Sequence, residues 1–251
     1  MKILVTLKSV PDPDQPIAIN AEGNGLDHAA TTFIINPFDA IAVEQAVRMR
    51  EDGQEVDEII VLSIGGMECE KNLRTALAMG ADRALWVKDV GRFDPWNVSR
   101  VVHKVVDAEQ PDMVIMGKQA VDDDSNQVGQ FLAAQLSWPQ ATFASGVEVS
   151  AGRLVVQREV DQGIERLAVS VPVVMTCDLR LNEPRYTALP AIMKAKRKPL
   201  DRTSLKELGI EAEPRVEVLG IEATSSKREC VQLEHVDELI SRLRDEAKVI
   251  T

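Results

Sequence analysis

The segment Gly117-Lys-Gln-Ala-Val-Asp-Asp-Asp-Ser-Asn-Gln127 carries residue types and a spacing that could do chemistry. An apolar strand, Met113–Met116, runs into Gly117, and a helix is predicted from about Asp124 to Leu136. Backbone N–H groups in such a loop and in the first helical turn have no intrahelical acceptor. Together with the helix dipole they suit a phosphate oxygen. Asp124 or Ser125 is placed to cap the helix, with Gln127 as a capping-box partner, and Gly129 leaves room for a ligand or a neighbouring backbone. The chemistry implied is nucleotide binding. Spacing alone leaves a second reading open, a helix merely capped after a strand. Three consecutive aspartates, Asp122–Asp124, are adverse beside a phosphate unless some cap the helix or accept from ribose hydroxyls. A Mg²⁺ site would also reconcile them, but no second acidic cluster completes one.

Other chemistries find less support. No Gly-x-Gly-x-x-Gly follows the first strand and no Gly-x-x-x-x-Gly-Lys-Ser/Thr occurs, which disfavours a nicotinamide-type domain and a P-loop hydrolase. An ATP-using adenylating or amidating enzyme needs a glycine-lined pyrophosphate loop after the first strand, where this chain has Lys8-Ser-Val-Pro-Asp12. His28, His103 and His235 are scattered, and no nucleophile–base pair is evident, so no catalytic residue is assigned. Cys69, Cys177 and Cys230 are odd in number and far apart, which fits a reducing compartment and gives no zinc motif. A net charge of −11 and 4% aromatics argue against a nucleic-acid partner. No apolar run approaches the roughly 18 residues of a membrane span, and Met1-Lys2 leads straight into an apolar strand rather than a signal peptide.

These residues need a frame to position them. Lys2–Leu7, Ile59–Ile64, Ala84–Val87 and Met113–Met116 read as buried strands. Helices over Pro37–Arg50, Cys69–Met79, Trp96–Glu109 and Asp124–Leu136 follow them. Such alternation predicts an α/β protein with a mostly parallel sheet covered on both faces, ligands binding at the strand ends. Ser145–Val156 and Ile164–Val174, with turn signals at Ala151-Gly152 and Gln162-Gly163, read as β-hairpins extending the sheet. Beyond Arg180 the pattern lapses among Pro184, Pro190, Pro199 and Pro214, with a basic cluster at Lys194, Lys196, Arg197, Lys198 and Arg202. A helix resumes near Val236–Ala247. The division expected is a nucleotide-binding domain over 1–190 and a C-terminal arm over 191–251.

Read whole, Gly117–Gln130 followed by Trp138-Pro-Gln-Ala-Thr-Phe-Ala-Ser145 closely resembles the β (small) subunit of electron transfer flavoproteins. Asn36-Pro-Phe-Asp-Ala-Ile-Ala-Val-Glu44, Leu73-Arg-Thr-Ala-Leu-Ala-Met-Gly-Ala-Asp-Arg83, Asp178-Leu-Arg-Leu-Asn-Glu-Pro-Arg-Tyr186 and Leu189-Pro-Ala-Ile-Met-Lys-Ala-Lys196 extend the resemblance to about residue 199. It implies a Rossmann-like, adenine-nucleotide-binding (HUP-like) fold whose arm wraps a partner, the α subunit. The resulting heterodimer holds one FAD mainly on α and a structural AMP on β. The resemblance also implies electrons arriving from acyl-CoA dehydrogenases and leaving to a membrane quinone oxidoreductase, in a bacterial cytoplasm or a mitochondrial matrix.

Carried over position by position, the resemblance implies AMP contacts at Thr6, at Asn36, Pro37, Phe38 and Asp39, and at Ile64. Further contacts run through Gly117, Lys118, Gln119, Ala120, Val121, Asp122, Asp123, Asp124, Ser125, Asn126, Gln127 and Val128. Phe38 is implied near the flavin. Pro13 stands where many members of that family place a tyrosine against it. Leu189, Pro190, Ile192, Met193, Lys194 and Lys196 fall in the implied partner-recognition loop, with Leu189 as apolar anchor. Some relatives replace AMP with a second FAD and tend to read Asp-Gly-Asp-Thr-Ala-Gln in the acidic run. Asp122-Asp-Asp-Ser-Asn-Gln127 favours AMP and one-flavin transfer.

Overall fold

A computed structural model describes residues 1–89, 91, 93–150, 153–222 and 230–250. The first half runs β1 (Lys2–Thr6), β2 (Ser9–Pro11), β3 (Phe33–Ile35), α1 (Pro37–Glu51), β4 (Glu58–Gly65), α2 (Glu68–Met79), β5 (Arg83–Lys88), α3 (Pro95–Glu109) and β6 (Met113–Gly117). The second half adds α4 (Val128–Leu136), β7 (Gln140–Ser150), β8 (Arg153–Val160), β9 (Gly163–Val169), β10 (Val173–Cys177), α5 (Leu189–Ala195), β11 (Leu200–Thr203) and α6 (Val236–Ser241).

One nine-stranded sheet has the order β11-β5-β4-β1-β6-β10-β7-β8-β9. Every pairing from β11 to β7 is parallel, and β8 and β9 add antiparallel strands at one edge. The expected mostly parallel α/β sheet is thus observed. Alternating side chains of β1 divide the core. Ile3 and Val5 pack with Ile41, Val47, Leu73 and Leu77 from α1 and α2, whereas Leu4 packs with Val101, Val105 and Leu132 from α3 and α4. Both faces are covered, which is why these strands read as continuous apolar runs. From β1 the chain winds through β4 and β5 to one side, then returns to place β6 on the other. The β1–β6 boundary is therefore the topological switch point, where a crevice opens beyond the strand ends.

Several local expectations are corrected. Ile164–Val174 is not one hairpin arm: β9 ends at Val169, Val171 lies outside any strand, and β10 inserts in parallel between β6 and β7. All five β10 residues are buried while β9 is largely exposed, so the two stretches answer to different environments. The turn expected at Ala151-Gly152 lies outside the described residues. The β2–β3 ribbon, three residues a strand, was too short to leave a periodic signal. Helix α4 begins at Val128, because Asp124 and Asn126 take left-handed backbone (φ 50° and 49°) and Gln127 occupies the cap position without a side-chain cap bond. The capping roles expected of Asp124, Ser125 and Gln127 are therefore not realised.

Leu189–Lys196, expected as a loop, contains α5 (Leu189–Ala195), with Lys196 at its C-cap. β11 pairs with β5, so the outermost parallel strand comes from beyond residue 190. Lys198 donates to the carbonyls of Leu77 (3.0 Å) and Ala81 (2.5 Å), and Arg74 donates to those of Ala195 (2.9 Å) and Lys198 (2.7 Å). This end of α2 thus receives the cation its dipole favours. The late helix is α6, continued by a π-helical turn over Arg242–Glu246.

Candidate functional site

At the carboxyl ends of β1, β4 and β6 stand Thr6, Ile64 and Gly117, and α1 starts beside them with Asn36, Pro37, Phe38 and Asp39. Pro37 suits the first helical turn, whose N–H is unpaired in any case. The side chains of Asn36 and Asp39 are 1% and 5% exposed and are spent on backbone. Asn36 donates from Nδ2 to the Gln119 carbonyl (2.9 Å) and accepts at Oδ1 from the Val121 N–H (3.2 Å). Asp39 accepts the Lys8 N–H at one oxygen and the Gly117 N–H at the other, both at 2.8 Å. Burial raises the Asp39 carboxyl to about 6, and these N–H donors oppose the rise. A Cβ on Gly117 would lie 2.6 Å from both Asp39 Oδ1 and Phe38 Cβ, so glycine is what lets β6 end against α1.

The loop after β6 settles the electrostatic difficulty of its aspartates. Lys8, just past β1, puts its ammonium 2.8 Å from Asp122 and 2.9 Å from Asp123. Burial disfavours the charge on Lys8, but the two carboxylates outweigh it and raise its pKa. Burial would likewise raise Asp123, yet the Ser125 N–H and Lys8 hold it below the usual range. Asp124 accepts from the Gln119 amide at 2.7 Å. Meanwhile, among the described residues, the N–H groups of Asn126, Gln127, Val128 and Gly129 have no protein acceptor. The loop thus offers backbone donors at the start of α4 while its negative charges are occupied elsewhere. Gly129 is buried for packing: a Cβ there would meet Thr176 Cγ2 at 2.6 Å.

Lys118 points away from this set. Its ammonium pairs with Asp178 at 2.7 Å and sits 5.5 Å from the centres of both the Phe38 and Phe143 rings. Phe38 is buried. Pro13 is not brought to it: Asp12 bonds to Thr32 at one end of the β2–β3 ribbon, and Asn36 bonds to Lys8 at the other. Ala120 and Val121 pass beside Asn36, and Ser125 donates its N–H to Asp123 at 3.1 Å. The implied recognition segment is separate, on α5. Leu189 is 72% exposed and Met193 55%, with Ile192, Lys194 and Lys196 also exposed. Lys198 and Arg202, counted in the basic cluster, instead serve α2: Arg202 pairs with Glu70 at 2.8 Å.

The segment after β10 is strapped onto α1. Arg185 reaches Glu44, whose side chain is 3% exposed, and Glu51, while Asn182 donates to the Ile41 carbonyl. The residue that sequence reading missed is Lys8, whose partners stand 114 and 115 positions away. Among the described residues no group of three or more His, Cys, Asp or Glu is placed to hold a metal ion, and no helix is long and apolar enough to cross a membrane.

A family model described as "Electron transfer flavoprotein domain" matches residues 25–208. The chain is 45% identical over 250 residues to the electron transfer flavoprotein subunit beta of Bradyrhizobium diazoefficiens, covering 100% of both chains. It is 43% identical over 252 residues to the mitochondrial subunit beta of Arabidopsis thaliana, again covering 100% of both. The human subunit beta is 40% identical over 253 residues, with 99% of each chain covered.

Proposed function

Because the chain belongs to the electron transfer flavoprotein family and matches its β subunits from end to end, we propose that it holds AMP at the β1–β6 switch point and pairs with an α subunit that carries FAD. Family membership makes it an electron-carrier subunit associated with a flavin. The observation that carries the finer reading is the loop after β6, with unpaired N–H groups at the start of α4 and aspartates tied to Lys8.

In this reading the α4 N–H groups receive the phosphate, and Asn126 and Gln127 lie against it. Thr6, Ile64 and Asn36–Asp39 border the nucleoside, and Asn36 and Asp39 act by fixing the backbone of the neighbouring loops. The acidic run Asp122–Gln127 favours AMP over a second FAD. The flavin supplies redox chemistry when bound; this chain's part is to hold, orient and dock. Phe38 borders the flavin. Leu189, Ile192 and Met193 on α5 present an apolar anchor, with Lys194 and Lys196 steering acidic partners such as acyl-CoA dehydrogenases and the quinone oxidoreductase. The part of the arm that follows β11 and its packing onto the core wraps the α subunit, in a bacterial cytoplasm or mitochondrial matrix.

Co-production with the α subunit should give a yellow heterodimer. Its visible spectrum, with chromatography of the extracted nucleotides, should report one FAD and one AMP. Two FAD per heterodimer would overturn the AMP reading, and a colourless chain that pairs with no α subunit would overturn the whole proposal.

A further inference from the structure

A loop with three consecutive aspartates is a poor host for a phosphate dianion, yet α4 presents its free N–H groups directly after that loop. Lys8 stands between these facts. Its own N–H is fixed by the buried Asp39 carboxylate at 2.8 Å. Its ammonium meets Asp122 and Asp123 at 2.8 and 2.9 Å, joining the loop after β1 to the loop after β6 across the switch point. Neither Asp122 nor Asp123 has another cation within ion-pair distance among the described residues. Without Lys8, two uncompensated negative charges would flank the phosphate seat. The third, Asp124, already faces the Gln119 amide.

We propose that Lys8 is the specificity-determining residue for the phosphate of the bound nucleotide, acting by neutralising Asp122 and Asp123 rather than by touching the ligand. This rests on the AMP reading above. It makes the site's preference for a charged nucleotide depend on a residue outside the loop that binds it. The balance is short-ranged: like charges a few ångströms away in a partly screened site change affinity by about an order of magnitude. A nucleoside without phosphate has no dianion to repel, so it should be indifferent to the change.

The test uses the heterodimer, dialysed to remove nucleotide, with equilibrium dialysis of AMP and of adenosine in parallel. Lys8→Met should weaken AMP roughly tenfold and leave adenosine within about twofold, the loss shrinking as salt is raised. Lys8→Arg should restore AMP. Adding Asp122→Asn and Asp123→Asn to Lys8→Met should also restore it, because the charges that needed compensation are gone. Equal loss of AMP and adenosine, no loss of either, or a triple variant as weak as Lys8→Met would each overturn the inference. If Lys8→Met fails to fold, the Asp122→Asn, Asp123→Asn protein decides: it should bind AMP at least as tightly as the parent, and weaker binding refutes the idea. A parent heterodimer with no affinity for AMP would instead overturn the underlying nucleotide reading.

Discussion

Gly129→Ala tests whether the start of α4 is held by packing against β10. The new Cβ would lie 2.6 Å from Thr176 Cγ2 and 3.2 Å from Met116 Sδ, in a part of the core that cannot open to solvent. Overpacking of this kind costs about 1–3 kcal/mol. The helix propensity of alanine returns less than its full ~1 kcal/mol, because position 129 is only the second residue of α4. The net expectation is about 1.5 kcal/mol, or a fall in Tm of roughly 3–6 °C for a chain of this length. Thr176→Ser removes the offending methyl but keeps the Oγ1 that accepts the Phe143 N–H at 3.0 Å, and alone should cost about 1 kcal/mol. Combined, the two substitutions should recover about 1–2 kcal/mol relative to their sum. Urea and thermal unfolding of all four proteins, at one concentration of the heterodimer, measure that coupling. AMP occupancy should follow the same pattern, since displacing α4 moves the N–H donors. A Gly129→Ala protein within 1 °C of the parent, or strict additivity, would refute the contact and its role.

Two further outcomes follow from the site's supports. Asp39 is raised to about 6 in the folded chain against an ordinary 3.8, so the folded form binds its proton more tightly than the unfolded form. Its contribution to stability is fully present below about pH 4 and is lost as pH rises through 6. The stability of the parent relative to Asp39→Asn should therefore fall by about 2–3 kcal/mol between pH 4 and 7 in urea unfolding, and a pH-independent difference would contradict the assignment. Arg185→Ala should cost about 1–2 kcal/mol, discounted because the guanidinium is partly exposed, and should make the 178–186 strap susceptible to limited proteolysis. Arg185→Lys should recover only part, because it cannot span Glu44 and Glu51 with two forks.

What the sequence revealed, and what it hid, divide by range. Strands β1, β4, β5 and β6 are legible because burial on both faces makes their central residues apolar. Helix α4 is legible in kind but not in its starting point. Asp124 and Ser125 look like caps, and only the left-handed backbone at Asp124 and Asn126 shows that the chain turns once more before α4. The sequence pattern runs β10 together with β9 because both are β-rich, although one is central and the other an edge. Phe143 sits at φ +61° beside a β7 irregularity, which no local signal foretells. Lys8, in a segment noted only for the glycines it lacked, acquires meaning from partners more than a hundred positions away.

The way charges are used at these strand ends fits the holding role proposed above. General acid–base chemistry needs a side chain free to exchange a proton with the substrate. Lys8 is committed to two aspartates, Lys118 to Asp178, and Asp124 to the Gln119 amide. Asp39, whose carboxyl burial raises to about 6, faces two backbone N–H groups and is buried. What remains for a ligand is backbone: fixed donors that bind an anion without changing protonation. Such a site gains affinity from preorganisation. A subunit built this way suits the proposed carrier, in which the flavin supplies the redox chemistry. In that reading the acidic run can stand beside a phosphate because its charges are already compensated within the chain, and the cation that compensates them, Lys8, is part of β1's own exit loop.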